Sequence, residues 1–123
     1  ALSFRGRQLT PTVLIELHYK EDAGGNIEFI LQNEATGFGT RIAGRAVHLK
    51  LENLLRMTEG AITIDFSGIN LISSSFADEV FGMLFFELGP IKFTQRFKFR
   101  NLDPLVRGLI DRSVTQRLSE QTR

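Results

Sequence analysis

Residues 76–88 run FADEVFGMLFFEL, and this stretch restricts the fold more than any other. At helical spacing Phe76, Ala77, Val80, Phe81, Leu84, Phe85 and Leu88 cover most of the circumference, and Met83 and Phe86 add to it. A helix this apolar is either deeply buried or also faces a partner. Gly89-Pro90 ends it.

The segments around it alternate in period. Residues 13–19 (VLIELHY) and 27–31 (IEFIL) each place apolar side chains at every second position, and the Gly-rich KEDAGGN lies between them. This predicts an antiparallel hairpin with a loose turn. Over residues 42–57, Ala43, Val47, Leu51, Leu54 and Leu55 recur at helical spacing. AITIDF (61–66) reads as a buried strand, and KFTQRFKF (92–99) as a strand near an edge, with Phe93, Phe97 and Phe99 opposite Lys92, Arg96 and Lys98. Asp103-Pro104 has the form of an N-cap followed by proline in the first turn. Val106, Ile110, Val114 and Leu118 then make an i, i+4 stripe. The expected fold is α/β: a four-stranded mixed sheet, the N-terminal hairpin plus parallel strands, covered by about three helices.

At 123 residues the chain is expected to be a single domain spanning 1–123. Eleven Phe with one Tyr and no Trp put much of the core on rings without polar handles. The absence of Cys excludes disulfides and thiol chemistry. No apolar window approaches the roughly 18 residues of a membrane span, so a cytoplasmic protein with no membrane association is expected. The chain starts at Ala1 rather than Met, which leaves open a trimmed tag or an upstream domain. Net charge is +1, but residues 92–123 hold eight Lys or Arg against three Asp or Glu, a hint of a basic C-terminal face.

Three consecutive serines, Ser73, Ser74 and Ser75, stand where a strand hands over to the apolar helix. Ser75 fits an N-cap with Asp78 three residues on, a variant of the capping box. Asp78 and Glu79 then suit the positive end of the helix dipole. Ser73 and Ser74 are left over. A phosphate at a helix N-terminus meets free backbone N–H groups. On one of these serines it would also stand beside Asp78 and Glu79, where like-charge repulsion makes a switch. On the residues alone, capping and modification both stay open.

IDFSGINLISSSF (64–76) resembles the signature of STAS domains, the fold of the anti-sigma-factor antagonists. Asp65, Ser67 and Gly68 match the end of a strand and its small-residue turn; Ile72, Ser74 and Ser75 match the serine turn that opens a helix. Ser73 stands where that family usually has Asp, and Phe76 where it has Gly. ISSSFADEVFG, preceded by FGTRIAGRAV, resembles more closely the bacterial STAS-like domains of unknown function, found near or fused to histidine-kinase-type ATP-binding domains. The resemblance runs over residues 38–110. It implies a regulatory protein-interaction module in signal transduction that docks on a histidine-kinase-type ATP-binding protein, or on a kinase that is itself an anti-sigma factor. Ser74 is the phosphoacceptor it implies, ahead of Ser73 and Ser75. Docking would use Asp65, Ser67, Phe76, Asp78, Glu79 and Phe81, the two rings contributing apolar contact if they are exposed. No strand or helix is legible beyond Leu118, so the STAS plan would be shortened there.

Other constellations are weaker. His18 and His48 are thirty residues apart, so no metal or other cofactor is expected. Ser74, His48 and Asp65 can be written as a nucleophile set, but no nucleophile elbow accompanies them, and an enzyme is not expected. Gly37, Gly39 and Gly44 lack the G-x-G-x-x-G spacing of a dinucleotide loop and read as the flexible approach to a helix. The alternative function is a nucleotide or nucleic-acid binding module using Arg96, Lys98, Arg100 and Arg107. Against it, the phenylalanines interleaved with those cations share one strand face and point to the core, where they cannot stack on bases. A constitutive oligomerisation domain is the other alternative, since the Phe-rich helix leaves room for a homodimer.

Overall fold

The computed structural model describes residues 25–121. Strand β1 (Ile27–Ile30) runs into a one-turn helix α1 (Leu31–Glu34), and helix α2 (Arg41–Met57) leads to strand β2 (Ile62–Asp65). Helix α3 spans residues 74–88. It starts as Ser74–Ala77, passes through a π-helical segment (Asp78–Gly82) and ends as Met83–Leu88. Helix α4 (Pro90–Arg96), strand β3 (Phe97–Arg100) and helix α5 (Pro104–Gln121) follow.

The described strands form one parallel sheet in the order β1-β2-β3. Ile27 is level with Ile62 and Phe97, and Phe29 with Ile64 and Phe99. Because side chains alternate along a strand, this register puts Ile27, Phe29, Ile62, Ile64 and Phe97 together in the core. Glu28, Thr63, Lys98 and Arg100 turn to the other face, half-buried or exposed, and Arg100 pairs with Glu28 there at 2.8 Å. Of the expected four-stranded mixed sheet, the described residues supply three strands, all parallel. The other half of the predicted hairpin, residues 13–19, lies outside the described residues.

Among the described residues there are five helices, where about three were expected. Residues 92–99 divide: the first part is helical and only Phe97–Arg100 is strand. Phe93 and Phe97 are four apart, a spacing that keeps two residues on one face in a helix as well as in a strand. The turn decides between the two. Gly89 has φ +83°, and Pro90 occupies the first turn of the next helix, where its missing N–H costs nothing. Phe93 then packs between Phe85 and Phe97, with centroids 5.4 and 5.3 Å away.

Helix α3 is the centre of the molecule. Phe76, Val80, Phe81 and Leu84 are fully buried. Phe81 packs edge-on against Phe99 at 5.7 Å and tilted against Phe66 at 5.8 Å, and such ring pairs add about 0.5–1.5 kcal/mol each beyond burial. Helix α2 covers one side with Ala43, Val47, Leu51 and Leu54, and α5 covers another with Val106 and Ile110. Two glycines permit the close approach. A Cβ on Gly44 would stand 3.0 Å from the Cβ of Glu79, and one on Gly82 would stand 2.5 Å from Oδ1 of Asp78. The final helix starts as predicted: the Leu105 N–H donates to Oδ1 of Asp103 at 2.9 Å. Its buried stripe continues through Ser113, while Val114 is half-buried and Leu118 exposed. Among the described residues, no helix is long and apolar enough to cross a membrane.

Candidate functional site

The head of α3 is set by Ser73. Its Oγ accepts from the Phe76 N–H at 3.0 Å, and its own N–H donates to Phe38 O at 2.8 Å. This corrects the sequence reading, which gave the cap to Ser75. Ser75 lies inside the first turn, half-buried, and Ser74 is exposed beside it. Both line a groove of about 330 Å³ between α2, α3 and α5, together with Arg41, Asp78, Arg112 and Arg117.

The π-helical segment shapes the acidic side of this groove. Successive residues of an α-helix diverge by about 100°, yet Asp78 and Glu79 both reach Arg41. Arg41 Nη1 donates to Asp78 Oδ2 at 3.1 Å and to Glu79 Oε1 at 3.0 Å. Arg117 grips Asp78 with two bonds, Nε to Oδ1 at 3.1 Å and Nη2 to Oδ2 at 2.8 Å, the bidentate geometry that makes arginine–carboxylate pairs strong. Glu79, only 7% exposed, also pairs with Arg45 at 3.4 Å. Arg117 lies over the Phe86 ring, 5.9 Å from its centroid.

Burial pushes the Asp78 carboxyl up, but the hydrogen bonds from Arg117 and Arg41 outweigh it and hold Asp78 below the usual carboxylate range. The same bonds raise Arg41, through Asp78 and then Glu79, and raise Arg117, through Asp78. Bare repulsion of a phosphate by Asp78 and Glu79 is therefore not the local field. Two carboxylates face three guanidiniums. A fourth, Arg112, lines the groove without an ion pair among the described residues.

The other predicted docking residues separate. Phe76 and Phe81 are fully buried, Phe76 against the Phe38 ring at 5.6 Å, so the exposure on which their contact with a partner depended is absent. Asp65 and Ser67 do shape a turn. Oδ1 of Asp65 accepts from Ser67 Oγ at 2.7 Å, from Ser67 N at 2.9 Å and from Asn101 Nδ2 at 3.0 Å. Hydrogen bonds from the Ser67 hydroxyl, Asn101 and the Ser67 backbone lower the Asp65 pKa, with a smaller contribution from the charge of Arg100. Asn101 itself sits at φ +57°, a left-handed conformation asparagine tolerates. This knot ties the end of β2 to the end of β3.

The cations of the nucleic-acid alternative do not form a free basic face. Arg96 is half-buried and donates to the backbone oxygens of Gly60, Thr58 and Leu55, at 3.0, 2.6 and 3.3 Å. Arg100 is paired with Glu28. Lys98 and Arg107 are exposed. Nor do Ser74, His48 and Asp65 come together: His48 bonds to Glu87, and Asp65 to Ser67 and Asn101. Around the Gly-rich segment, Thr40 caps α2, its Oγ1 accepting from Ala43 N at 3.0 Å.

Sequence reasoning missed the arginines of the groove. The excess of cations after residue 92 contained Arg112 and Arg117, but Arg117 and Asp78 are 39 residues apart and no local pattern joins them. No curated protein and no solved structure matches the chain. Residues 43–107 match the model of a family described as STAS-like domains of unknown function. That segment holds the serines, the acidic pair and the Asp65 knot, with Arg41, Arg112 and Arg117 on its flanks. The match spans just over half of the chain, and the protein therefore belongs to the STAS-like domains of unknown function.

Proposed function

We propose that this domain is a regulatory protein-interaction module, without catalysis of its own, that docks through the groove at the head of α3 and is switched by phosphorylation of Ser74. The observation that carries the reading is Ser74 itself: exposed, on the first turn of a buried helix, in a groove with three arginines. Ser73 is committed to the cap and Ser75 is half-buried, so Ser74 is the serine a kinase reaches most easily.

A phosphate adds about −1.5 to −2 charges and three strong acceptors. On Ser74 it competes with Asp78 for Arg41 and Arg117 and draws in Arg112. The phosphate offsets the groove's excess of guanidiniums and rearranges its ion pairs, and a partner that met the unmodified groove loses its fit. The partner proposed is the one that the sequence resemblance implies: a protein with a histidine-kinase-type ATP-binding domain. The test is co-purification with such a protein from the native cells. Ser74→Ala retains the partner, while Ser74→Asp releases it. Equal retention of both variants would remove the switch, and no ATP-binding protein with either variant or with the unaltered chain would remove the docking.

A further inference from the structure

At the end of α3 away from the serines, three side chains converge. His48 and Glu52 lie one turn apart on α2, and Glu87 comes from the last turn of α3. His48 Nε2 is 3.1 Å from Glu87 Oε1 and 3.4 Å from Glu52 Oε2, and the three atoms all lie within 4.8 Å of one another. His48 is only 7% exposed.

We propose that His48, Glu52 and Glu87 form a binding site for a divalent first-row metal ion of the zinc type. Three observations support it. A neutral imidazole has one N–H to give, and here two carboxylates meet the same nitrogen. Among the described residues neither Glu52 nor Glu87 has another ion-pair partner, so two carboxyl groups converge on one buried ring. Bonds of about 2.0–2.2 Å to a tetrahedral zinc place its ligand atoms roughly 3.3–3.6 Å apart, close to the two N···O separations found. An imidazole with carboxylates suits zinc, whereas magnesium and calcium take oxygen ligands. Glu52 is half-buried and Glu87 exposed, so an ion enters from solvent and keeps a position open to water.

Bound there, the ion links α2 to the last turn of α3, at the opposite end of that helix from the serines. The site is independent of the switch at Ser74.

The test uses the whole chain, stripped with a chelator and titrated with zinc chloride by calorimetry, with cobalt(II) absorption as a second readout. One zinc per chain is expected, with visible bands of a tetrahedral cobalt site and a melting temperature that climbs with metal concentration. Glu87→Gln and Glu52→Gln should each weaken binding by more than the about tenfold that loss of an outer-shell partner costs. Neither disturbs the core. His48→Gln should abolish the cobalt bands, and His18→Gln should change nothing. The proposal is overturned if millimolar zinc gives neither heat nor a melting shift. Unchanged affinity in both glutamine variants, or loss of binding in His18→Gln, overturns it equally.

Discussion

At the scale of single residues, Gly82 and Asp78 are coupled through space that only a hydrogen can occupy. A methyl group at Gly82 would stand 2.5 Å from Oδ1 of Asp78 and 3.4 Å from Ser113. Gly82→Ala should push the carboxylate off Arg117 and destabilise the fold by about 1–3 kcal/mol, read from urea denaturation. Asp78 also sets a pH dependence. Its pKa and that of Asp65 lie below the ordinary value in the folded chain, so the stability they contribute is present above about pH 4. It is lost as pH falls through the lowered folded values. Asp78→Asn should flatten the acid limb of the stability curve, as followed by circular dichroism between neutral and strongly acidic pH. A limb as steep as that of the unaltered chain would show that Asp78 does not titrate as its bonds require.

At the scale of elements, the serine cap gives the sharpest contrast. Ser73→Ala removes the acceptor for Phe76 N and should cost about 1 kcal/mol. Ser75→Ala should stay within about 0.5 kcal/mol, as for a surface change. The reverse order would restore the sequence reading. That reading placed the cap two residues late because Ser75 with Asp78 satisfies the capping-box spacing. Asp78 is instead drawn to Arg41 and Arg117, contacts from distant parts of the chain. Elements with a single strong period were legible: α2 within a residue of its start, β2, the Asp103 cap and the buried face of α3. The helix α4 was not. Phe93 and Phe97 satisfy both periods at once, and only the Gly89-Pro90 turn separates them.

At the scale of the whole molecule, burial of α3 organises everything else. Most of its apolar circumference is consumed by α2, α5 and the sheet, which takes Phe76 and Phe81 away from any partner, while Phe86 stays partly exposed. Its head remains accessible, clamped by arginines from two other helices. Arg41 joins α2 to α3 through Asp78 and Glu79, and Arg117 joins α5 to α3. Arg41→Ala leaves buried Glu79 with only the longer contact to Arg45. It should cost about 1–3 kcal/mol, measured by thermal unfolding. This clamp was illegible in the chain, because its members lie 37–39 residues apart and each looks like an ordinary surface charge.

The most direct measurement is phosphopeptide mass spectrometry over residues 73–75 of the protein taken from its native cells. Phosphate is expected on Ser74, with Ser73 unmodified because its oxygen holds the helix cap. Phosphate confined to Ser73 or Ser75, or none across several growth conditions, would contradict it.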